Sequence, residues 1–271
     1  MMDKTKQNDI YTKAKEWIIE AGQYIRSRMY KELKVTTKSD PNDLVTDLDR
    51  DTERLLTQRI RQTYPNHFII SEEGYGDKLT DLKGTVWIID PIDGTMNFIH
   101  QKRNFAISIG IYHDHVGEIG FIYDVVGDVL YSAKRGLGAF KNERPLKRLD
   151  SNVPLSQAMI AMNHFWLCEN HLVCEKTMQK FVRSIRGTRT YGSAALEFAY
   201  VAEGILDGYL AINLSPWDVA AGIVIVNEVG GLTTTIDGDA LSLLTKSPIL
   251  TCNPSLQLEI IQYIKKGRKV T

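Results

Sequence analysis

The sequence predicts an α+β amino-terminal half built on an antiparallel sheet, residues 1–152, followed by an α/β half, residues 153–271. Strand-like runs joined by short polar turns recur between residues 105 and 145, the pattern of an antiparallel meander. Past the turn-forming stretch Asp150-Ser151-Asn152-Val153-Pro154, short apolar runs alternate with helical ones, which implies an α/β arrangement. A chain of 271 residues is long enough for layered packing or two modest domains.

Each element follows from local pattern. Apolar residues at Ile10, Ala14, Trp17, Ile18, Ala21, Tyr24, Ile25 and Met29 form a helical stripe over residues 10–29. Residues 35–42 lack periodicity and contain Asp40-Pro41-Asn42, so they read as a loop or weak hairpin. A second helix is expected from Thr46 or Asp47 to about Tyr64, with Leu48, Leu55, Leu56 and Ile60 inward. Asp47, Asp49 and Asp51 crowd its first turn, where acids complement the positive helix end.

Residues 67–74 read as a short strand ending in Glu72-Glu73-Gly74, preceded by an exposed histidine, His67. Alternate strand residues share a face, so Phe68, Ile70 and Glu72 are read as the inner row. Residues 85–89 form an apolar strand that stops at Asp90, because Pro91 removes a backbone donor. A helix is expected from Thr95, and the meander then runs through 105–112, 117–123 and 128–132. His113-Asp114-His115 is its polar turn, and 136–145 form one more hairpin. In the second half, strands are expected at 158–162, 206–212, 232–235 and 248–252. Helices are expected at 172–184, 193–203, from Pro216 to Val229, and at 255–266.

Composition narrows the function. Hydrophobic residues make up 43% and charged residues 24%, and Lys+Arg 33 balance Asp+Glu 33. No global field draws the chain to nucleic acid or to an anionic membrane, so attraction for a phosphate must be local. The apolar run 219–226 is too short to span a bilayer, and residues 1–8 lack the apolar core of an export signal. Cys168, Cys174 and Cys252 are odd in number and form no Cys-x-x-Cys pair, which fits a reduced cytoplasm.

Two acidic stretches carry chemistry. In Asp90-Pro91-Ile92-Asp93-Gly94-Thr95 the end of a strand delivers Asp90, Gly94 permits close approach of a ligand, and Thr95 opens a helix with free N–H groups. Asp93 as a plain helix cap is the competing reading. In Pro216-Trp217-Asp218-Val219-Ala220-Ala221-Gly222, Asp218 falls in the first turn of a nearly all-apolar helix. A carboxylate buried there needs N–H donors or a cation. Acids beside an anion site would repel a phosphate unless a hard cation lay between, and oxygen ligands select magnesium or a similar ion. The junction from Asp43 to Asp49 aims one more carboxylate, Asp49, and Glu72 is preferred over Glu73.

Glu72-Glu73, the Asp90–Thr95 stretch and Trp217-Asp218-Val219-Ala220-Ala221-Gly222, in that order and separation, resemble the inositol monophosphatase family over nearly the whole chain. The resemblance implies a layered α-β-α-β-α sandwich, a homodimer, and a magnesium-dependent phosphomonoesterase acting on a small phosphorylated substrate, inositol monophosphate by default. It implies that Glu72, Asp90 and the Ile92 carbonyl hold one magnesium, that Asp90, Asp93 and Asp218 hold a second, and that a third shares Glu72. Lithium is then an inhibitor. Thr95, paired with Asp49, would help deprotonate a metal-bound water. The phosphate would rest on the N–H groups of Gly94 and Thr95, and Gly192, Ser193 and Ala194 would contact the substrate's body. Lys38 matches a basic residue on a loop that completes the metal site.

One position departs from the family. Its inositol-binding members carry a glutamate seven residues before the Trp-Asp aspartate, where this chain has Ala211. That leaves room for bulkier esters such as NADP, nucleotide or sugar bisphosphates. A scaffold that binds the transcription machinery is the reading from another class, and the full acid set argues against it.

Overall fold

The computed structural model describes residues 2–37 and 44–269. Helix α1 (Lys4–Arg28) begins at Asp3, whose carboxylate accepts the N–H groups of Thr5 and Lys6, and it buries Ile10, Ala14, Trp17, Ile18, Ala21 and Ile25. Strand β1 (Val35–Thr37) pairs antiparallel with β2 (Leu44–Thr46), so the expected loop or weak hairpin is paired at its base. Lys38 lies outside the described residues. Helix α2 (Asp47–Thr63) opens with a capping box between Thr46 and Asp49.

Strand β3 (Phe68–Ser71) runs parallel to β4 (Thr85–Asp93), and helix α3 (Thr95–Gln101) follows. Strands β5 (Ala106–His113), β6 (Val116–Asp124), β7 (Val129–Lys134), β8 (Gly138–Lys141) and β9 (Arg144–Pro145) then pair antiparallel in succession. The seven-stranded sheet has the order β3-β4-β5-β6-β7-β8-β9.

The remaining chain gives β10 (Met159–Met162), α4 (Glu175–Ser184), β11 (Gly187–Arg189), α5 (Ala194–Glu203), β12 (Gly208–Leu214), α6 (Pro216–Glu228), β13 (Leu232–Thr235), β14 (Ser247–Cys252) and α7 (Gln257–Gly267). Its five strands order as β11-β10-β12-β14-β13. Three cores stack these parts. Side chains of α1 and α2 pack on Ile107, Ile109 and Ile111 of the large sheet. Its other face, with Val86 and Ile88, meets α5 and α6, which also touch Tyr209 and Ala211 of the small sheet. The far side of the small sheet, with Ile160, Leu210 and Leu250, is covered by α4 and α7. The layers are therefore helix, sheet, helix, sheet, helix, the sandwich expected. Among the described residues no helix is long and apolar enough to cross a membrane.

The middle layer sits unusually close to the large sheet. A Cβ on Gly110 would lie 2.7 Å from the carbonyl carbon of Ala220, and one on Gly120 would lie 2.5 Å from the Ala221 oxygen. Only glycine lets α6 rest on β5 and β6 at this depth.

Three local expectations are corrected. Strand β4 does not stop at Asp90 but continues to Asp93. Its neighbour β3 ends opposite Ile89, so from Asp90 onward only β5 is paired, and the missing Pro91 donor breaks no ladder. Asp90 pairs with Ser108 and Asp93 with Ala106, three steps on β4 against two on β5, which is a bulge. In β3 the buried residues are Ile69 and Ser71, while Phe68 is 43% exposed, and Glu72 belongs to the turn after the strand. Helices cover both faces of the sheet, so alternation does not mark one inner row. His67 is half-buried rather than exposed: its ring accepts the Trp87 indole N–H at 3.1 Å and stacks on Tyr64.

Candidate active site

The bulge at the end of β4 and the start of α6 meet. One carboxylate oxygen from each of Asp90, Asp93 and Asp218 lies within 4.8 Å of the others. The bulge re-aims the strand so that Asp90 and Asp93, which alternation alone would separate, converge. Asp218 is at the third position of α6, where its carboxylate accepts the Ser215 N–H at 2.7 Å.

These acids are poorly compensated. Asp90 is 2% exposed and receives one backbone donor, the Ile92 N–H at 3.0 Å. Burial pushes its carboxyl well above the usual range, helped by the charges of Glu72, Asp93 and Asp218 and by a hydrogen bond with Glu72. Burial likewise raises Asp218, with Asp93 as the next contribution. Asp93 is better supplied, from the Ser193 hydroxyl, the Ala194 N–H at 3.2 Å and the Ala195 N–H at 2.9 Å, and burial brings it only to about 6.

Asp49 lies at the start of α2 and is fully buried. One oxygen accepts the N–H and hydroxyl of Thr46, and the other accepts the Thr95 hydroxyl at 3.2 Å. Burial pushes it to about 6 against those hydrogen bonds, and Glu72 adds like charge. The Thr95 hydroxyl has the Ile92 carbonyl, at 3.1 Å, as a second acceptor. Gly94 adopts φ +90° beside the Gly192-Ser193 turn, and a Cβ there would lie 3.1 Å from the Gly192 oxygen.

Of the residues singled out in the sequence, Glu72, Asp90, Ile92, Asp93, Thr95, Asp49 and Asp218 thus form one connected group. Gly192, Ser193 and Ala194 line a cavity of about 230 Å³ next to it, with Asp93, Asp218 and Tyr209. Ser193 caps α5, its hydroxyl oxygen accepting the Leu196 N–H, and the same hydroxyl donates to Asp93, a bond the sequence did not suggest.

Sequence reasoning missed three residues of this region. Glu53 is fully buried and accepts the Ser71 hydroxyl at 2.6 Å and the N–H groups of Glu73 at 2.7 Å and Tyr75 at 2.9 Å, which fixes the turn bearing Glu72. Its signal was available, since Glu53 lies four residues after Asp49 and three before Leu56, in the inward stripe of α2. Glu197, in the first turn of α5, is buried behind the cavity, and burial brings it to about 7. Asn163 lines the same cavity and has a buried side-chain oxygen without a hydrogen-bond partner.

The donor set of Glu72, Asp90, Asp93, Asp218 and the Ile92 carbonyl is entirely hard oxygen. Adjacent buried carboxylates with few N–H donors are costly unless a cation joins them. Magnesium fits both the chemistry and the spacing.

The sequence model of the inositol monophosphatase family matches residues 6–269. An inositol-1-monophosphatase of Bacillus subtilis (strain 168) is 49% identical over 265 residues, covering 98% of this chain and all of that protein. Among solved structures, inositol monophosphatase II of Staphylococcus aureus bound to inositol monophosphate is 41% identical, with a TM-score of 0.85 and coverage of 95% of this chain and 94% of that one. The same enzyme bound to 2′-AMP is 42% identical, with a TM-score of 0.87 and 95% coverage of both chains. A dual inositol monophosphatase/NADP phosphatase with magnesium and phosphate is 25% identical, with a TM-score of 0.89 and coverage of 98% and 99%.

Proposed function

The chain belongs to the inositol monophosphatase family, and on that premise we propose that it hydrolyses inositol monophosphate at the cluster of Asp90, Asp93 and Asp218. The convergence of those three carboxylates within 4.8 Å, next to Thr95 and Asp49, carries the reading. Magnesium, when bound, lowers the pKa of a coordinated water and offsets charge on the phosphate. Glu72, Asp90 and the Ile92 carbonyl would hold one ion, and Asp90, Asp93 and Asp218 a second.

The chain's own groups handle the proton. The Thr95 hydroxyl has one hydrogen, and Asp49 is one of its two acceptors. With that hydrogen directed at Asp49, a lone pair of Thr95 is free to accept from an attacking water. Asp49, brought to about 6, is ionised at neutral pH and still basic enough to draw the proton through Thr95. Gly94 brings backbone rather than side chain to the phosphate, and the Gly192-Ser193 turn bounds the space for the alcohol.

Purified protein is expected to release phosphate from inositol 1-phosphate with magnesium and to lose that activity in EDTA. Failure to release phosphate from any ester in a broad panel, with magnesium present, would overturn the proposal. We place the enzyme in the cytoplasm as a homodimer, on its unpaired cysteines and the family resemblance. Light scattering of the purified protein tests the second point.

Ala211 favours a second substrate reading. It is buried on β12, two residues from Tyr209 and on the same face, and its methyl side chain offers no carboxylate to a polyol hydroxyl. Nucleotide 2′-phosphates or NADP would then be comparable substrates. Comparing kcat/KM for inositol 1-phosphate, 2′-AMP and NADP decides it. A preference for inositol phosphate above about a hundredfold rejects the second reading, since one polar contact supports discrimination of that order.

A further inference from the structure

Asp93 owes its orientation to a helix from the other half of the chain. Its carboxylate is held by the Ser193 hydroxyl and by the N–H groups of Ala194 and Ala195, the first turn of α5. Free N–H groups at a helix start point along the axis. Where they point is therefore set by the turn that leads into the helix. That turn, Tyr191-Gly192, is gripped from two sides.

From one side, the Asn97 amide of α3 donates to the Tyr191 carbonyl at 2.6 Å and to the Asn104 carbonyl at 2.9 Å, and its oxygen accepts from Gln101 at 3.1 Å. From the other, Glu197 reaches back over the start of its own helix. One of its oxygens accepts the Tyr191 N–H at 2.7 Å and the Gly192 N–H at 3.4 Å, and Tyr209 hydrogen-bonds the same carboxylate. Gly192 has φ +77°, and a Cβ there would lie 3.0 Å from the Asn97 amide nitrogen, so the turn is close-packed as well as bonded. Glu197 is 4% exposed.

We propose that Glu197 is a positioning residue: by fixing the Tyr191-Gly192 turn it aims Ser193, Ala194 and Ala195 at Asp93 and so sets how tightly the acid cluster holds magnesium. Without that grip, repulsion from Asp90 and Glu72 would swing Asp93 away from the shared point. The role depends on reach, since two N–H groups must be met at a fixed distance, and not on charge. It rests on the magnesium-dependent reading given above, and the two can fail separately.

The test is calorimetric titration of magnesium into substrate-free protein, with kcat and KM measured alongside, for Glu197→Asp and Glu197→Gln. The aspartate keeps the charge and loses one methylene of reach. The glutamine keeps the reach, and its amide oxygen still accepts both N–H groups. Glu197→Asp is expected to weaken magnesium binding by about tenfold or more, the usual consequence of losing a support behind a metal ligand. Glu197→Gln is expected to stay within about threefold of the parent.

Equal effects of the two variants, or none from Glu197→Asp, would overturn the proposal. So would a raised substrate KM with unchanged magnesium affinity in Glu197→Asp, because Glu197 would then be a substrate contact. Loss of fold in Glu197→Gln, read by circular dichroism, would overturn it by assigning the residue to stability. If Glu197→Asp does not fold, Asn97→Ser releases the same turn from the opposite side and carries the same expectation. Absence of magnesium binding in the parent protein would instead sink the function proposed above.

Discussion

Two sets of buried acids in this protein have opposite surroundings. Glu53 and Glu118 lie in the amino-terminal half, each 2% exposed or less. Glu53 is met by one hydroxyl and two backbone N–H groups, and Glu118 by the Met2 N–H at 3.1 Å, the Gln7 amide at 2.9 Å and the Arg135 guanidinium at 3.7 Å. Asp90 is also buried and Asp218 half-buried, yet among the described residues each has a single backbone donor and lies among carboxylates, with Lys246 a lesser opposing charge on Asp218. Burial alone does not distinguish a working acid from a structural one. The identity of the facing groups does: the first set is met by hydrogen-bond donors and a guanidinium, and the second mainly by other carboxylates.

The largest test of that contrast is removal of a cluster acid. Asp218→Ala is expected to lower kcat/KM by about a hundredfold to a thousandfold, as loss of a charge-stabilising group does. In EDTA the same variant should melt higher than the parent, because repulsion is relieved. A near-normal rate and magnesium dependence would return Asp218 to the role of a plain helix-start residue. Next in size, Thr95→Val keeps the shape and removes the hydroxyl bonded to Asp49. Steady-state kinetics should show kcat falling about a hundredfold with little change in KM, the scale of lost general-base assistance.

Glu53→Ala probes the other set. It strips the acceptor from the Ser71 hydroxyl and the N–H groups of Glu73 and Tyr75, and urea titration should show a loss of about 2 kcal/mol. Where the cluster variant becomes more stable without metal, this one becomes less so. Should both move the same way, the contrast is wrong.

The smallest effect is in pH. Asp49 and Asp93 have carboxyls at about 6 in the folded protein, above their ordinary 3.8. Between those values the native state binds more protons than the unfolded chain, so metal-free stability falls as pH rises from about 4 through 6. Magnesium held by Asp93 would displace the proton there, and its charge would favour the ionised form of nearby Asp49. Thermal melts should therefore show magnesium raising Tm by about 3 °C more at pH 7.5 than at pH 5, about 1 kcal/mol for a chain of this size. An equal rise at both pH values would mean that the cluster is already satisfied without the ion.

Much of this was legible in the residues. Hydrophobic period and turn chemistry located most helices and strands of both halves, though not the short strand β11, and the two aspartate stretches announced themselves by placing acids where apolar residues belong. What was not legible depended on neighbours far along the chain. That β4 continues through Pro91 follows from β3 ending opposite Ile89. The burial of Ile69 rather than Phe68 follows from helices on both faces of the sheet. Glu53 could have been found from its place in the inward stripe of α2, whereas Glu197 sits in a helix where a single acid ordinarily reads as solvated surface, and only its folded partners, Tyr191 among them, show otherwise.

Gly110 and Gly120 carry no functional atom, yet they fix how deep α6 lies on the sheet and therefore how far Asp218 stands from Asp90. They work as a spacer of zero thickness. A methyl group at either position would lift the helix by part of an ångström and open the gap between the two aspartates. A change of glycine to alanine there would look conservative on a sequence and leave every acid in place. In a survey of natural variants it would surface as a demand for more magnesium, and its origin would be sought in the wrong motif.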